Sequence, residues 1–154
     1  MKKSEIIVDA EYIIKNRNGE NKIPQRLIQM GVLSDSRIRI VRIAPMGGTV
    51  EVVIDETGNI ALRMEELLQL DCELAAIPLS KVDNIKNKTF RIKEFKGGFL
   101  FKQKMDKRGL SIGSTIFEAE RNQGFHLKLN EDKIATVGRG EASKIILKPV
   151  NNDD

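Results

Sequence analysis

Two neighbouring segments indicate the fold class: Arg26-Leu27-Ile28-Gln29-Met30-Gly31-Val32 and, shortly after it, Arg37-Ile38-Arg39-Ile40. Pro24 suits the first turn of a short helix, and Gly31 suits the left-handed position that ends one. The alternation of basic and apolar residues from Arg37 to Ile40 predicts a half-buried strand. Together they predict a mainly β fold with short helices.

Turn and strand signals follow this stretch in a regular order. Ala44-Pro45-Met46-Gly47-Gly48 is a glycine-rich loop, and the turn around Gly58 separates two apolar segments. The remaining segments predict two strands, a helical turn and a return to the sheet, at Val50–Ile54, Ile60–Leu62, Met64–Leu70 and Cys72–Ile77.

The second half of the chain repeats this order of elements, which indicates an internal duplication. Gln103–Arg108 predicts a short helix ended by Gly109, and alternating strands follow it. The direct matches are Gly31 with Gly109, Ile38 with Ile116, Ile60-Ala61 with Ile134-Ala135, and Glu66 with Glu141.

The duplication predicts two small domains, and five or six short strands in each predict a barrel that closes to remove exposed strand edges. A single larger sandwich is the alternative. We expect the first barrel at 1–78 and the second, diverged one at 89–150. The polar segment 79–88, rich in lysine and asparagine, is the predicted linker. The tail 151–154 carries no apolar residue and is predicted to be disordered.

Composition narrows the classes of function. The net charge is +4, but 26 basic residues are interspersed with 22 acidic ones, so no direct nucleic-acid binding is expected. The apolar run Ile6–Val8 is too short for a signal peptide or a membrane span. We therefore expect a cytoplasmic protein without direct membrane insertion.

Four separated blocks resemble the FeoA domain family of bacterial ferrous-iron uptake systems. They are Arg26–Val32, Arg37–Ile43, Ala44–Gly48 and Ile60-Ala61-Leu62-Arg63, with Glu65-Glu66 at the turn that follows. The resemblance covers roughly Ile6 to Ile77. In the second half, Arg108–Ile116 and Ile134–Ile145 look like a diverged copy that lacks the alanine-proline-glycine loop.

The resemblance implies an SH3-like barrel and a small cytosolic accessory of ferrous-iron transport. The implied partner is the cytosolic GTPase region of a FeoB-type membrane transporter, contacted without catalysis. The same barrel occurs in metal-dependent repressors of the diphtheria-toxin-repressor type. A metal-responsive module that acts with a transcription factor is therefore the alternative function.

Metal binding, to Fe²⁺ or Mn²⁺, is also implied by the resemblance. Only one histidine is present, so one chain cannot form a site with two imidazoles. His126 lies between Phe125 and Leu127, and alternation turns it to the solvent-facing side of its strand. It is the weak metal candidate, together with Glu118 or Glu120 of a nearby strand. The single cysteine, Cys72, is expected to be a buried small apolar residue.

No catalytic constellation assembles from these residues, and we predict that the protein is not an enzyme. Met46 is the apolar residue most expected at a loop tip, because Gly47-Gly48 follow it. Basic residues precede it in the chain and would form a rim around an apolar spot. The predicted partner-binding residues are Arg37, Arg39, Arg42, Pro45, Met46 and Gly47.

Overall fold

The structure is a computed structural model of the chain and describes residues 1–15, 23–130 and 132–150. The chain forms two compact units, unit 1 at Met1–Ala75 and unit 2 at Ala76–Asp154. The described residues form twelve strands and four short α-helices, which confirms the predicted mainly β fold. The predicted disordered tail, 151–154, lies outside the described residues.

The described residues of unit 1 form five strands and two short α-helices. The strand order is β4-β3-β2-β1, paired antiparallel, and β5 lies next to β1. Its core comes from alternate strand positions and from buried apolar residues of both helices. The elements are a 3-10 turn (Lys3–Glu5), β1 (Glu11–Ile14), α1 (Gln25–Gln29), β2 (Arg37–Ile43), β3 (Thr49–Ile54), β4 (Gly58–Arg63), α2 (Met64–Gln69) and β5 (Cys72–Pro78). The fully buried core residues include Leu27, Ile38, Ile40, Val50, Val52, Leu62 and Leu67.

Unit 2 begins within β5 and contains two groups of strands. One group has the order β5-β12-β7-β8, and the other has the order β11-β10-β9-β6. Its elements after β5 are a 3-10 turn (Leu79–Lys81), β6 (Asn84–Ile85), β7 (Phe90–Phe95), α3 (Phe99–Lys107), β8 (Thr115–Ile116), β9 (Glu118–Arg121), β10 (Phe125–Lys128), β11 (Ile134–Val137), α4 (Arg139–Ala142) and β12 (Ile145–Pro149).

Strand pairing leaves these sheets open, whereas the sequence predicted closed barrels. In the described part of the chain, the end strands β4, β8, β11 and β6 each pair on one side only. The register of β2 against β3 shifts between Ile40 and Arg42, and such a bulge bends a strand and increases its twist. Short strands limit the edge that remains exposed.

The predicted linker at 79–88 is part of the folded unit, which corrects the sequence analysis. Leu79 is inaccessible to solvent and Ile85 is 2% exposed. Strand β6 pairs with β9, and Ile85 lies opposite Ala119. The many lysine and asparagine residues indicated a linker, and they obscured the two apolar residues, Leu79 and Ile85, that anchor the segment. Strands β1 and β7 were not assigned from the sequence either.

The first half of each unit repeats the same backbone hydrogen bonds, related by the shift in numbering that takes Gly31 to Gly109. Asp35 N–H donates to Ile14 O at 2.8 Å, and Gly113 N–H donates to Ile92 O at 2.8 Å. Further bonds and cross-strand pairs repeat with the same shift. They are Val32 N–H to Leu27 O with Leu110 N–H to Met105 O, Leu33 N–H to Ser36 Oγ with Ser111 N–H to Ser114 Oγ, and Tyr12 opposite Ile38 with Phe90 opposite Ile116.

In the second half of each unit, the shift in numbering is smaller and takes Val50 to Phe125. Val50 lies opposite Leu62, as Phe125 lies opposite Val137. Ile60 therefore corresponds to Ala135, and the sequence match of Ile60 with Ile134 is wrong by one position. A slip of one position turns a strand over, and Ile134 is accordingly 71% exposed. The match of Glu66 with Glu141 agrees with the smaller shift.

These two glutamates hold equivalent helix starts. Arg63 N–H donates to Glu66 Oε1 at 2.9 Å, and Gly138 N–H donates to Glu141 Oε1 at 2.9 Å. Each also pairs with a basic residue of the preceding helix: Arg26 of α1 contacts Glu66, and Lys104 of α3 lies 2.8 Å from Glu141 Oε2. Arg26 and Lys104 are equivalent positions under the shift that takes Gly31 to Gly109. The ion pairs join the two short helices within each unit.

Candidate functional site

The loop between β2 and β3, residues 44–48, is a tight turn that exposes Met46. Ala44 N–H donates to Thr49 O at 2.9 Å, and Gly47 N–H donates to Ala44 O at 2.8 Å. Gly47 has a φ of +75°, a conformation that glycine adopts without strain. The side chain of Met46 is 96% exposed, the largest exposure of any large apolar residue described. The predicted apolar loop tip is therefore present.

The three predicted arginines all lie on the outward side of β2, and the bulge makes this possible. Arg37 is exposed and Arg39 half-buried, while Ile38 and Ile40 are buried. Strict alternation would turn Arg42 inward beside Ile40. Because the register shifts between Ile40 and Arg42, the Arg42 side chain is instead 75% exposed.

The surface around these arginines carries mixed charge, in contrast to the predicted basic rim. Arg37 Nη1 lies 2.8 Å from Glu11 Oε1, and Arg42 Nε lies 3.5 Å from Glu51 Oε2. Arg37 is also at the opposite end of β2 from the loop, roughly 20 Å away at the usual rise of a strand. Of the predicted basic residues, Arg42 is the one next to the loop.

Lys3 is a second basic residue at this loop, and no local pattern in the sequence predicted it. Its Nζ lies 3.9 Å from the position that a Cβ on Gly47 would take. The 3-10 turn Lys3–Glu5 positions it, and Tyr12 fixes that turn by donating its hydroxyl to Glu5 O and accepting from Ile7 N–H at 3.0 Å. Positions 3 and 47 are too far apart in the chain for a local pattern to connect them. The candidate site is therefore Met46 with Pro45, flanked by Arg42 and Lys3.

The outward face of β9, β10 and β11 brings His126 together with both predicted glutamates. His126 lies opposite Glu120, while Glu118 lies opposite Lys128. These side chains line an open cavity of about 470 Å³, of which Ile134 forms part of the wall. As predicted, His126 is exposed.

This face does not fit a resident metal ion. His126 Nε2 lies 3.2 Å from Asn122 O, and His126 Nδ1 lies 3.3 Å from Thr136 Oγ1, so both ring nitrogens have hydrogen-bond partners. No group of three or more histidine, cysteine, aspartate or glutamate side chains is arranged for a metal ion within the described ranges. Binding of Fe²⁺ or Mn²⁺ stays a prediction.

Cys72 is a half-buried residue at the start of β5. Burial raises the pKa of its thiol to about 11, against a smaller lowering by the N-terminal ammonium. The thiol is therefore protonated at neutral pH, and a protonated thiol is a poor nucleophile and a poor metal ligand.

None of the helices formed by the described residues has the length and hydrophobicity needed to cross a membrane.

Comparison with known proteins finds a family match for unit 1. The FeoA domain family model matches residues 4–73, and no curated protein matches the chain. Among solved structures, iron(II) transport protein A from Clostridium thermocellum is 26% identical, with a TM-score of 0.46, over 99% of this chain and 90% of that one. An iron uptake regulatory protein (FeoA) is 21% identical, with a TM-score of 0.43, over 49% of this chain and 97% of that one. The part of the chain that matches the FeoA domain family is therefore unit 1.

Proposed function

We propose that the protein is a non-catalytic accessory of ferrous-iron transport that acts in the cytoplasm by protein contact. Its partner is the cytosolic GTPase region of a FeoB-type membrane transporter. The match of residues 4–73 to the FeoA domain family model supports the transport role. The observation that carries the contact is the Met46 side chain, 96% exposed on a turn with defined hydrogen bonds.

The physical basis of the contact is an apolar anchor on a rigid support. Burying an exposed methionine in a partner removes apolar surface from water, and methionine adapts to irregular pockets. The turn around Gly47 limits the entropy lost on binding, because the loop is already ordered. Arg42 and Lys3 beside the loop supply charges that steer an acidic partner surface.

The test measures affinity between the full chain and the purified GTPase region of a FeoB-type transporter by calorimetry. Met46→Ser is expected to weaken binding about tenfold or more, the usual cost of truncating an interface anchor. Ile134→Ser is the matched control, because Ile134 is another exposed apolar residue, in unit 2. Absence of binding by the wild-type chain would refute the proposal, as would a Met46→Ser variant that binds as tightly as the wild type.

A further inference from the structure

The start of α3 presents two adjacent, protruding apolar side chains. Phe99 is 76% exposed and Leu100 is 77% exposed. The helix itself is well anchored, because Met105 is inaccessible to solvent and the Phe101 ring packs edge-on against Phe95 with 5.8 Å between centroids. The exposure therefore belongs to a rigid surface feature, which we call the α3 tip.

Glycine keeps the α3 tip compact. A Cβ on Gly97 would lie 2.7 Å from atoms of the Phe101 side chain, closer than any real Cβ contact. Phe101 therefore packs directly over the backbone of Gly97. This close approach turns Phe101 toward the unit and leaves Phe99 and Leu100 outside.

Three lysines belong to the same region of unit 2 as the α3 tip. Lys144 Nζ lies 5.4 Å from the centroid of the Phe101 ring, and Lys96 N–H donates to Lys144 O at 2.7 Å. Lys102 is exposed one helical turn after Phe99, on the same side of α3. Glu94 is an acidic neighbour, with its Oε1 3.9 Å from Lys96 Nζ. The three lysines outnumber it, so the tip is an apolar pair within a positively charged rim.

We propose that the α3 tip binds the surface of an anionic membrane, with Phe99 and Leu100 among the headgroups and the lysines against lipid phosphates. Protein interfaces are depleted of lysine, and their anchors tend to be tyrosine, tryptophan or arginine. Phenylalanine and leucine beside lysines are instead typical of surfaces that bind at the lipid interface. Lysine stems extend along apolar surface while their ammonium groups stay in water.

The α3 tip is a property of unit 2. Under the shift that takes Gly31 to Gly109, the positions that correspond to Phe99 and Leu100 are Asn21 and Lys22 of the sequence, both outside the described residues. An apolar pair in one copy and a polar pair in the other indicate a function that the two units do not share. The contact is at the membrane surface, so it requires no membrane insertion by a spanning segment.

The experiment is co-sedimentation of the full chain with vesicles of phosphatidylcholine, alone or mixed with phosphatidylglycerol. We expect sedimentation with the anionic vesicles that decreases with added salt, and little with the neutral ones. The double variant Phe99→Ser/Leu100→Ser should lower the partition coefficient about tenfold or more. Lys102→Glu should lower it about fivefold or more.

Ile134→Ser is the control, since Ile134 is 71% exposed in the same unit and lies outside the tip. It should sediment like the wild type, and unchanged circular dichroism and melting would show that each variant is folded.

A wild-type chain that stays in solution with anionic vesicles would overturn the proposal, and it is the result expected if a protein covers the tip. Equal binding of neutral and anionic vesicles would overturn it too, as would a double variant that binds normally. None of these readouts involves a transporter, so they test this surface independently of the proposed function.

Discussion

Unit 1 and unit 2 share one framework of hydrogen bonds but differ at the two places where function is proposed. Backbone bonds repeat with one shift in numbering up to β2, and strand pairs repeat with a smaller shift from β3 onward. The difference between the two shifts falls in the loop that carries Met46, which is a shorter turn in unit 2. The other difference is the α3 tip. The framework therefore tolerates changes in the loops that connect its elements, while the hydrogen bonds between its elements keep their register.

The largest expected effect is on stability, and it tests whether α1 and α3 are each held by an equivalent buried residue. Leu27 of α1 and Met105 of α3 are both inaccessible to solvent. Leu27→Ala and Met105→Ala should each lower the free energy of unfolding in urea by about 2–5 kcal/mol, because each leaves a cavity. The exposed residues Leu33 and Ile112 are matched controls, whose replacement by alanine should change it by about 0.5 kcal/mol or less. A small loss for Met105→Ala beside a large one for Leu27→Ala would break the equivalence.

Acid sensitivity separates the two glutamates that cap α2 and α4. The Arg108 guanidinium, the Gly138 N–H and the Lys104 ammonium lower the pKa of Glu141 from 4.5 to about 2. Because the pKa in the folded state lies below the unfolded value, this stabilisation is present above about pH 4.5 and is lost as the pH falls toward 2. We expect a loss on the order of 2 kcal/mol across that range, since solvent partly screens the carboxylate.

Glu66 should contribute less to acid sensitivity. Burial raises its pKa, and the hydrogen bonds from Arg63 and Arg26 more than offset this, so the net shift is a lowering. Measuring the free energy of unfolding against pH for the wild type, Glu66→Gln and Glu141→Gln checks this order. Glu141→Gln should remove more of the pH dependence than Glu66→Gln, and the reverse result would contradict the assignment.

The smallest expected effect concerns one left-handed backbone position in each unit. Asp35 has a φ of +68° and the equivalent Gly113 has a φ of +92°. Gly113→Ala should therefore cost about 1 kcal/mol, whereas Asp35→Gly should change stability by about 0.5 kcal/mol or less. Thermal unfolding of both variants measures the difference. A Gly113→Ala variant as stable as the wild type would contradict this prediction, because it would show that the left-handed backbone at residue 113 does not require glycine.

Local signals predicted the fold class and the loop that carries the candidate site. Gly31 and Gly109 have φ values of +93° and +83°, as expected for glycines that end helices. The α3 tip was not predicted, because Phe99-Leu100-Phe101 has no helical periodicity and the expected helix began at Gln103 instead of Phe99. Strand β7 alternates buried and less buried residues, so the same rule of alternation could have found it.

Local sequence was enough to predict the features whose causes lie within a few positions, such as the glycine-ended helices and the exposed Met46. Tertiary structure decided what depends on register and on contacts between distant residues. The bulge turns Arg42 outward, Lys3 reaches the loop at Gly47, and the register of β11 against β10 exposes Ile134. The physical reason is that side chains alternate along a strand with a period of two. One extra residue therefore turns every later side chain of the strand to the opposite face of the sheet. The register of a strand is set by a partner that is distant in the chain, and the local sequence does not identify that partner.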